Sequence, residues 1–208
     1  LFNFHGYTSN ASQQMWYGDF RSIADTANFL LVHPQGEVDS TGNTHWNVGW
    51  NGSIGDDIGF TAALIDSLSA EYNINQDRIY STGMSNGGFM SFNLACNLSH
   101  RFAAIASVTG SMGPLMMYNC NPTHPTPVMV IHGTLDATVP YAGASWVKSI
   151  SDVLAYWTAH NQCDIQSTVT LLPDVNVFDG STVEHYLWEN GLSGVEVEHY
   201  KVINGGHS

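Results

Sequence analysis

Arg78-Ile79-Tyr80-Ser81-Thr82-Gly83-Met84-Ser85-Asn86-Gly87-Gly88-Phe89-Met90 is the stretch on which the reading turns. Residues 78–82 read as a buried strand, and residues 86–97 carry apolar side chains at helical spacing. Between them lies Gly83-Met84-Ser85-Asn86-Gly87, a G-x-S-x-G. Alone the pentapeptide is weak, and as a bland alternative it is only a glycine-rich turn. Strand before and helix after make it a nucleophile elbow: a tight bend that lifts the Ser85 hydroxyl above the sheet edge, with glycines where the two elements cross. The start of the following helix supplies free N–H groups for a developing oxyanion.

A serine needs a base, and the base needs an acid to orient it. On this architecture the chain order is Ser, then Asp or Glu, then His. Residues 127–132 form the most strongly β-branched apolar run, and Gly133-Thr134-Leu135-Asp136 follows it, which makes Asp136 the acid. Asp174 and Asp179 also follow a strand pattern, in a more polar stretch, and rank lower. Residues 195–202 read as the last strand. Ile203-Asn204-Gly205-Gly206-His207 then places His207 on a glycine turn as the base. The second oxyanion donor is expected from the loop after the first strand, at His5-Gly6-Tyr7, with Tyr7 favoured, Gly6 as the near alternative, and Asn86 as the first donor.

Outward from these residues, apolar runs alternate with helical patterns, the mark of a parallel sheet with crossover helices. Strands are predicted over 1–5, 29–33, 102–108, 169–172 and 183–188, and helices over 12–27, 56–72 and 144–161. A long Gly/Asn/Trp-rich loop runs to about residue 55. No linker divides the 208 residues, so they are read as one α/β catalytic domain. The chain opens Leu1-Phe2-Asn3-Phe4 and closes just past Gly205-Gly206, so both ends are expected to be trimmed.

Hydrophobic residues make up 43% and charged residues 11%, which excludes a disordered chain. No apolar run reaches membrane-spanning length, and no membrane partner is expected. Five Lys+Arg against 18 Asp+Glu leave a formal charge of −13, unfavourable for nucleic acid or a phosphate ester. No metal or other cofactor is expected. The stretch Asp174-x-Asn176-x-x-Asp179-Gly180 misses a calcium loop because Phe178 takes a ligand position. Cys96, Cys120 and Cys163 have no zinc spacing; they read either as free thiols or as one disulfide with a leftover thiol, Cys96–Cys120 being the favoured pair. Sequons occur at Asn10, Asn51 and Asn97, to which no role is assigned. Oligomeric state is not readable.

The chain resembles the secreted poly(3-hydroxybutyrate) depolymerase and feruloyl esterase-like group of α/β-hydrolases. The likeness rests on Phe4-His5-Gly6, His33-Pro34-Gln35-Gly36, Asp56-Asp57-Ile58-Gly59-Phe60, the elbow with its strand, His132-Gly133-Thr134 through Asp136 to Val139-Pro140-Tyr141, and Gly205-Gly206-His207. It implies a mostly parallel sheet flanked by helices and the trio Ser85, Asp136 and His207. It also implies a metal-free extracellular carboxylic-ester hydrolase, a Cys96–Cys120 disulfide and a free Cys163. The expected substrate is an ester, possibly polymeric. Trp16, Trp46, Trp50, Met112 and Tyr141 are expected to line its pocket, a wall suited to phenolic acyl groups, sugar rings or polyester chains. A thioesterase or peptidase with the same trio, and a non-catalytic carbohydrate-binding module on this scaffold, are the alternatives.

Overall fold

The computed structural model describes residues 1–50 and 54–208. The Asn51 sequon lies outside the described residues. Strands β1 (Phe2–Phe4), β4 (Tyr80–Met84), β5 (Ala104–Val108), β6 (Val128–Gly133) and β9 (Val197–Ile203) run parallel. Strands β7 (Thr168–Leu171) and β8 (Thr182–Trp188) extend the sheet antiparallel beyond β9, giving the order β1-β4-β5-β6-β9-β8-β7. This is the α/β-hydrolase arrangement the sequence predicts, a mostly parallel sheet with flanking helices.

Helix α4 (Asn86–Asn97) packs across β1, β4 and β5 and is buried along nearly its whole length. Its second residue, Gly87, lies against the Phe4 carbonyl, where any Cβ would collide with backbone. Only glycine lets α4 sit this close to β1, and that closeness brings the two loops of the site together. One apolar cluster holds Phe4, Trp46, Phe89 and Met90; a second holds Phe92, Val130, Ile150 and Trp157. The Cys96–Cys120 disulfide joins α4 to the end of α5 (Pro114–Asn119), and Cys163 is free.

Several elements differ from expectation. The helix expected over 12–27 is two, α1 (Ala11–Tyr17) and α2 (Arg21–Ala27). The Gly18 amide closes the first on Gln14, and Asp19 pairs with Arg21 instead of continuing the turn. The strand expected over 29–33 is a single bridge from Val32 to Phe2. It cannot lengthen, because Pro34 has no N–H to give the ladder. The long loop contains a small hairpin, β2 (Glu37–Val38) with β3 (Thr44–His45), that no alternation announced. Helix α3 (Asp57–Glu71) starts as the paired aspartates suggest, with Asp56 capping the Gly59 amide. Helix α6 (Ile150–Asn161) begins six residues later than the apolar spacing implied. Ala144 and Val147 hydrogen-bond each other in a tight turn, and Ser149 caps the helix by accepting from Asp152 N–H. Among the described residues no helix is long and apolar enough to cross a membrane.

Candidate active site

Strand β4 ends at Met84 and α4 begins at Asn86, so Ser85 alone makes the turn. Its backbone is left-handed, at φ 54° and ψ −119°, a conformation that costs a non-glycine residue on the order of 1–3 kcal/mol. Hydrogen bonds on both sides hold it: Ser85 N–H donates to Val108 O at 2.8 Å, and Phe89 N–H donates to Ser85 O at 3.0 Å.

The Ser85 hydroxyl donates to His207 Nε2 at 2.9 Å, and His207 Nδ1–H donates to Asp136 Oδ2 at 2.8 Å. These three residues follow the C-terminal ends of β4, β6 and β9, interior strands that run parallel and so bring those ends to the same side of the sheet. The Asp136 side chain is fully buried and the His207 ring is 23% exposed, so the imidazole remains reachable while the carboxylate is shielded. Asp136 Oδ1 accepts from the Thr138 and Val139 amides at 2.9 and 2.8 Å, which fixes the carboxylate plane. Asp174 and Asp179 are exposed and form local turns with Asn176 and Ser181, away from this cluster.

A Cβ on Gly6 would touch Met84 and Ser85 Cβ at 3.3–3.5 Å, so the loop after β1 lies directly against the elbow. His5 sets that loop. Its Nε2 accepts from Gly36 N–H at 3.0 Å, so the proton resides on Nδ1, which donates to Gly6 O at 2.8 Å. Burial pushes the His5 imidazole below its ordinary pKa, against the pull of the Gly6 carbonyl, and keeps it neutral. Gly6 O and Tyr7 N–H belong to one peptide and point in opposite directions, so anchoring the carbonyl orients the amide. Among the described residues no loop or turn carbonyl accepts the Tyr7 amide. The Asn86 amide, at the first position of α4, has no earlier helical turn to donate to. The Asn86 side chain accepts from Trp46 N–H at 2.6 Å and donates to Trp46 O at 3.1 Å, clamping the long loop beside the elbow. His5 and Asn86 thus act as supports that the motif reading did not assign; a buried polar residue at a strand end was the available signal for His5.

The expected pocket wall is mostly not a wall. Trp46 and Met112 are 1% and 0% exposed and serve the core; the Trp46 indole donates to His5 O and meets Phe4 edge-to-face. Tyr141 turns inward and donates its hydroxyl to His199 Nε2 at 2.9 Å. Trp16 is exposed under the Arg21 guanidinium, 4.3 Å from the ring centre. Trp50 is half-buried and meets Phe89, on the first turn of α4, and Trp146 edge-to-face. Trp146, 42% exposed, was read from the sequence only as part of a helix face. The Tyr7 side chain reaches across to the turn of the β2–β3 hairpin, donating to Asp39 Oδ2 at 2.7 Å. A cavity of about 450 Å³ lined by Phe2, Leu30, Ile65 and Ile79 opens at the far end of β1 and β4 and contains none of the trio. Among the described residues no group of His, Cys, Asp and Glu is arranged to hold a metal.

Residues 53–167 match the family model described as Phospholipase/Carboxylesterase. The bifunctional acetylxylan esterase/xylanase XynS20E of Neocallimastix patriciarum is 26% identical over 209 residues, covering 100% of this chain and 28% of that protein. Feruloyl esterase B of Piromyces equi is 29% identical over 219 residues, covering 100% of this chain and 39% of that protein. A probable feruloyl esterase C of Aspergillus clavatus is 29% identical over 143 residues, 68% of this chain and 47% of that protein. The chain therefore spans less than half the length of these relatives. Among solved structures, an acetyl xylan esterase from Aspergillus awamori superposes with a TM-score of 0.73 at 15% identity, over 99% of this chain and 82% of that one. The Bacillus cereus carboxylesterase superposes with a TM-score of 0.62 at 13% identity, over 100% and 80%. At these identities the likeness is one of fold.

Proposed function

Because the chain belongs to the phospholipase/carboxylesterase family, we propose that it is a serine carboxylic-ester hydrolase working through an acyl-enzyme. The observation that carries the reading is the continuous relay Ser85–His207–Asp136, seated on a strained strand-to-helix bend. His207 Nε2 takes the Ser85 proton as Oγ attacks the ester carbonyl, and Asp136 holds the imidazole tautomer and stabilises the imidazolium. The tetrahedral oxyanion lies between the Tyr7 and Asn86 amides, each such donor being worth roughly 3–4 kcal/mol. His207 then passes its proton to the departing alcohol, and water reverses the sequence to free the serine.

The proposed substrates are acetyl or feruloyl esters of plant polysaccharide, the classes named for the relatives. Trp50 and Trp146 offer aromatic surface near α4 for a ring. A hydroxybutyrate polyester is the second substrate class, drawn from the family resemblance. An extracellular setting fits the Cys96–Cys120 disulfide, which survives only where thiols are oxidised.

The test compares wild type with Ser85→Ala on feruloyl, acetyl and hydroxybutyrate esters, with fluorophosphonate labelling alongside. Wild type is expected to hydrolyse at least one ester and to label at Ser85, and the alanine variant to lose about 10³-fold or more in kcat. Turnover that persists in Ser85→Ala would end the proposal. Labelling without hydrolysis of any oxygen ester, but with thioester or peptide cleavage, would transfer the same relay to another bond. Neither labelling nor turnover would leave a binding module.

A further inference from the structure

Asp136 faces a second imidazole besides His207. His132, on β6, is fully buried, and its Nε2 lies 2.8 Å from Val139 O and 3.3 Å from Asp136 Oδ2, the oxygen that also accepts from His207. Both neighbours of Nε2 are acceptors, so Nε2 carries the proton; it donates to Val139 O and faces Asp136 Oδ2 in a close polar contact. His132 Nδ1 is buried beside the Gly110 backbone.

We propose that His132 is a positioning residue for the catalytic acid: its Nε2–H anchors Val139, whose amide holds Asp136 Oδ1, and the same N–H edge faces Oδ2 and keeps it turned toward His207. The inference rests on the esterase reading above. Two amides hold Oδ1, the His207 imidazole holds Oδ2, and the His132 N–H edge stands 3.3 Å from Oδ2, so the carboxylate is kept facing His207 when the imidazolium forms. Burial lowers the His132 pKa, while the Val139 and Gly110 carbonyls and Asp136 pull it upward. The net lowering fits a neutral donor rather than a second cation competing with the imidazolium. The remaining titratable groups around it are Tyr141, whose ring stands 5.9 Å away, and His199 and Lys201 of β9, with Glu184 of β8 pairing Lys201.

The experiment compares His132→Met, which fills the space without a donor, with His132→Gln, whose amide N–H can reach the same two acceptors. The pH profile of kcat and KM is measured on an ester that wild type hydrolyses in a Ser85-dependent manner. For His132→Met, kcat should fall about 10-fold, as for the loss of a hydrogen bond that fixes Val139 and through it Asp136, with KM nearly unchanged. The acid limb of kcat/KM should move to higher pH, because a carboxylate that has lost a donor holds the imidazolium more strongly. His132→Gln should restore most of kcat and return the limb. A folded His132→Met with the wild-type limb and kcat overturns the inference, as does an equal loss in both variants with no movement of the limb. If His132→Met does not fold, ¹⁵N-resolved NMR of the wild-type imidazoles decides: a proton on Nε2 supports the inference, and a ring protonated only on Nδ1 overturns it. Failure of the esterase reading is separable, since it is seen first as wild-type turnover that does not depend on Ser85.

Discussion

Asn86 contributes to the site twice, through two different atoms. Its amide faces the elbow, whereas its side chain holds both backbone groups of Trp46 from within the core. Asn86→Ala keeps the amide and removes the clamp, leaving a buried N–H and C=O without partners. The expected cost is about 1–3 kcal/mol of stability. It should appear in urea unfolding, with faster amide exchange across residues 44–48 than elsewhere. A variant as stable as wild type, with unchanged exchange there, would show that the loop is held by other means. Ser85, Asp136 and His207 could be picked from the sequence because each sits at a strand end announced by a strong local pattern. Asn86's second task could not, because it depends on a contact with a residue 40 positions away. The same holds for the pocket wall. Aromatic character marked Trp46 and Tyr141, yet their direction is set by tertiary partners, Phe4 and His199, that no local spacing encodes.

Among the elements, α4 was legible to the residue, because glycine before and apolar spacing after leave it a single register. The segment over 29–33 was not, since an apolar run alone cannot report whether a full ladder awaits it. The sequence also missed the Ser149 cap, and α6 was therefore drawn too long. The Cys96–Cys120 bond, whose cysteines are 24 residues apart, ties the end of α4 to the end of α5. In the chain-entropy description a loop of this length is worth about 3.5 kcal/mol at 25 °C. Replacing both cysteines by alanine should lower stability by about that amount, read as a drop in the thermal midpoint that reductant then no longer changes. An unaltered midpoint would mean the link is dispensable.

For the whole molecule, three buried imidazoles set the response to acid. His5, His132 and His199 are each at most 2% exposed, and burial lowers the pKa of all three. His199 goes from an ordinary 6.5 to about 4; its Nδ1–H donates to Val130 O while Nε2 accepts from Tyr141. A group whose folded pKa is depressed binds more protons when unfolded, so stability rises with pH between the two values. The contribution of His199 is complete above about pH 6.5 and is lost as pH falls toward 4, a change of about 3 kcal/mol. Urea unfolding at stepped pH should show wild type weakening through that window and His199→Gln weakening less. Parallel curves would remove His199 from the account.

The participants in the relay are 71 and 122 positions apart along the polypeptide, and the imidazole is the last of them to be translated. On the proposed chemistry, the Ser85 hydroxyl stays mute on the ribosome until the 122 positions that separate it from His207 have been made. A hydrolase built this way has no appetite for esters until the fold has closed.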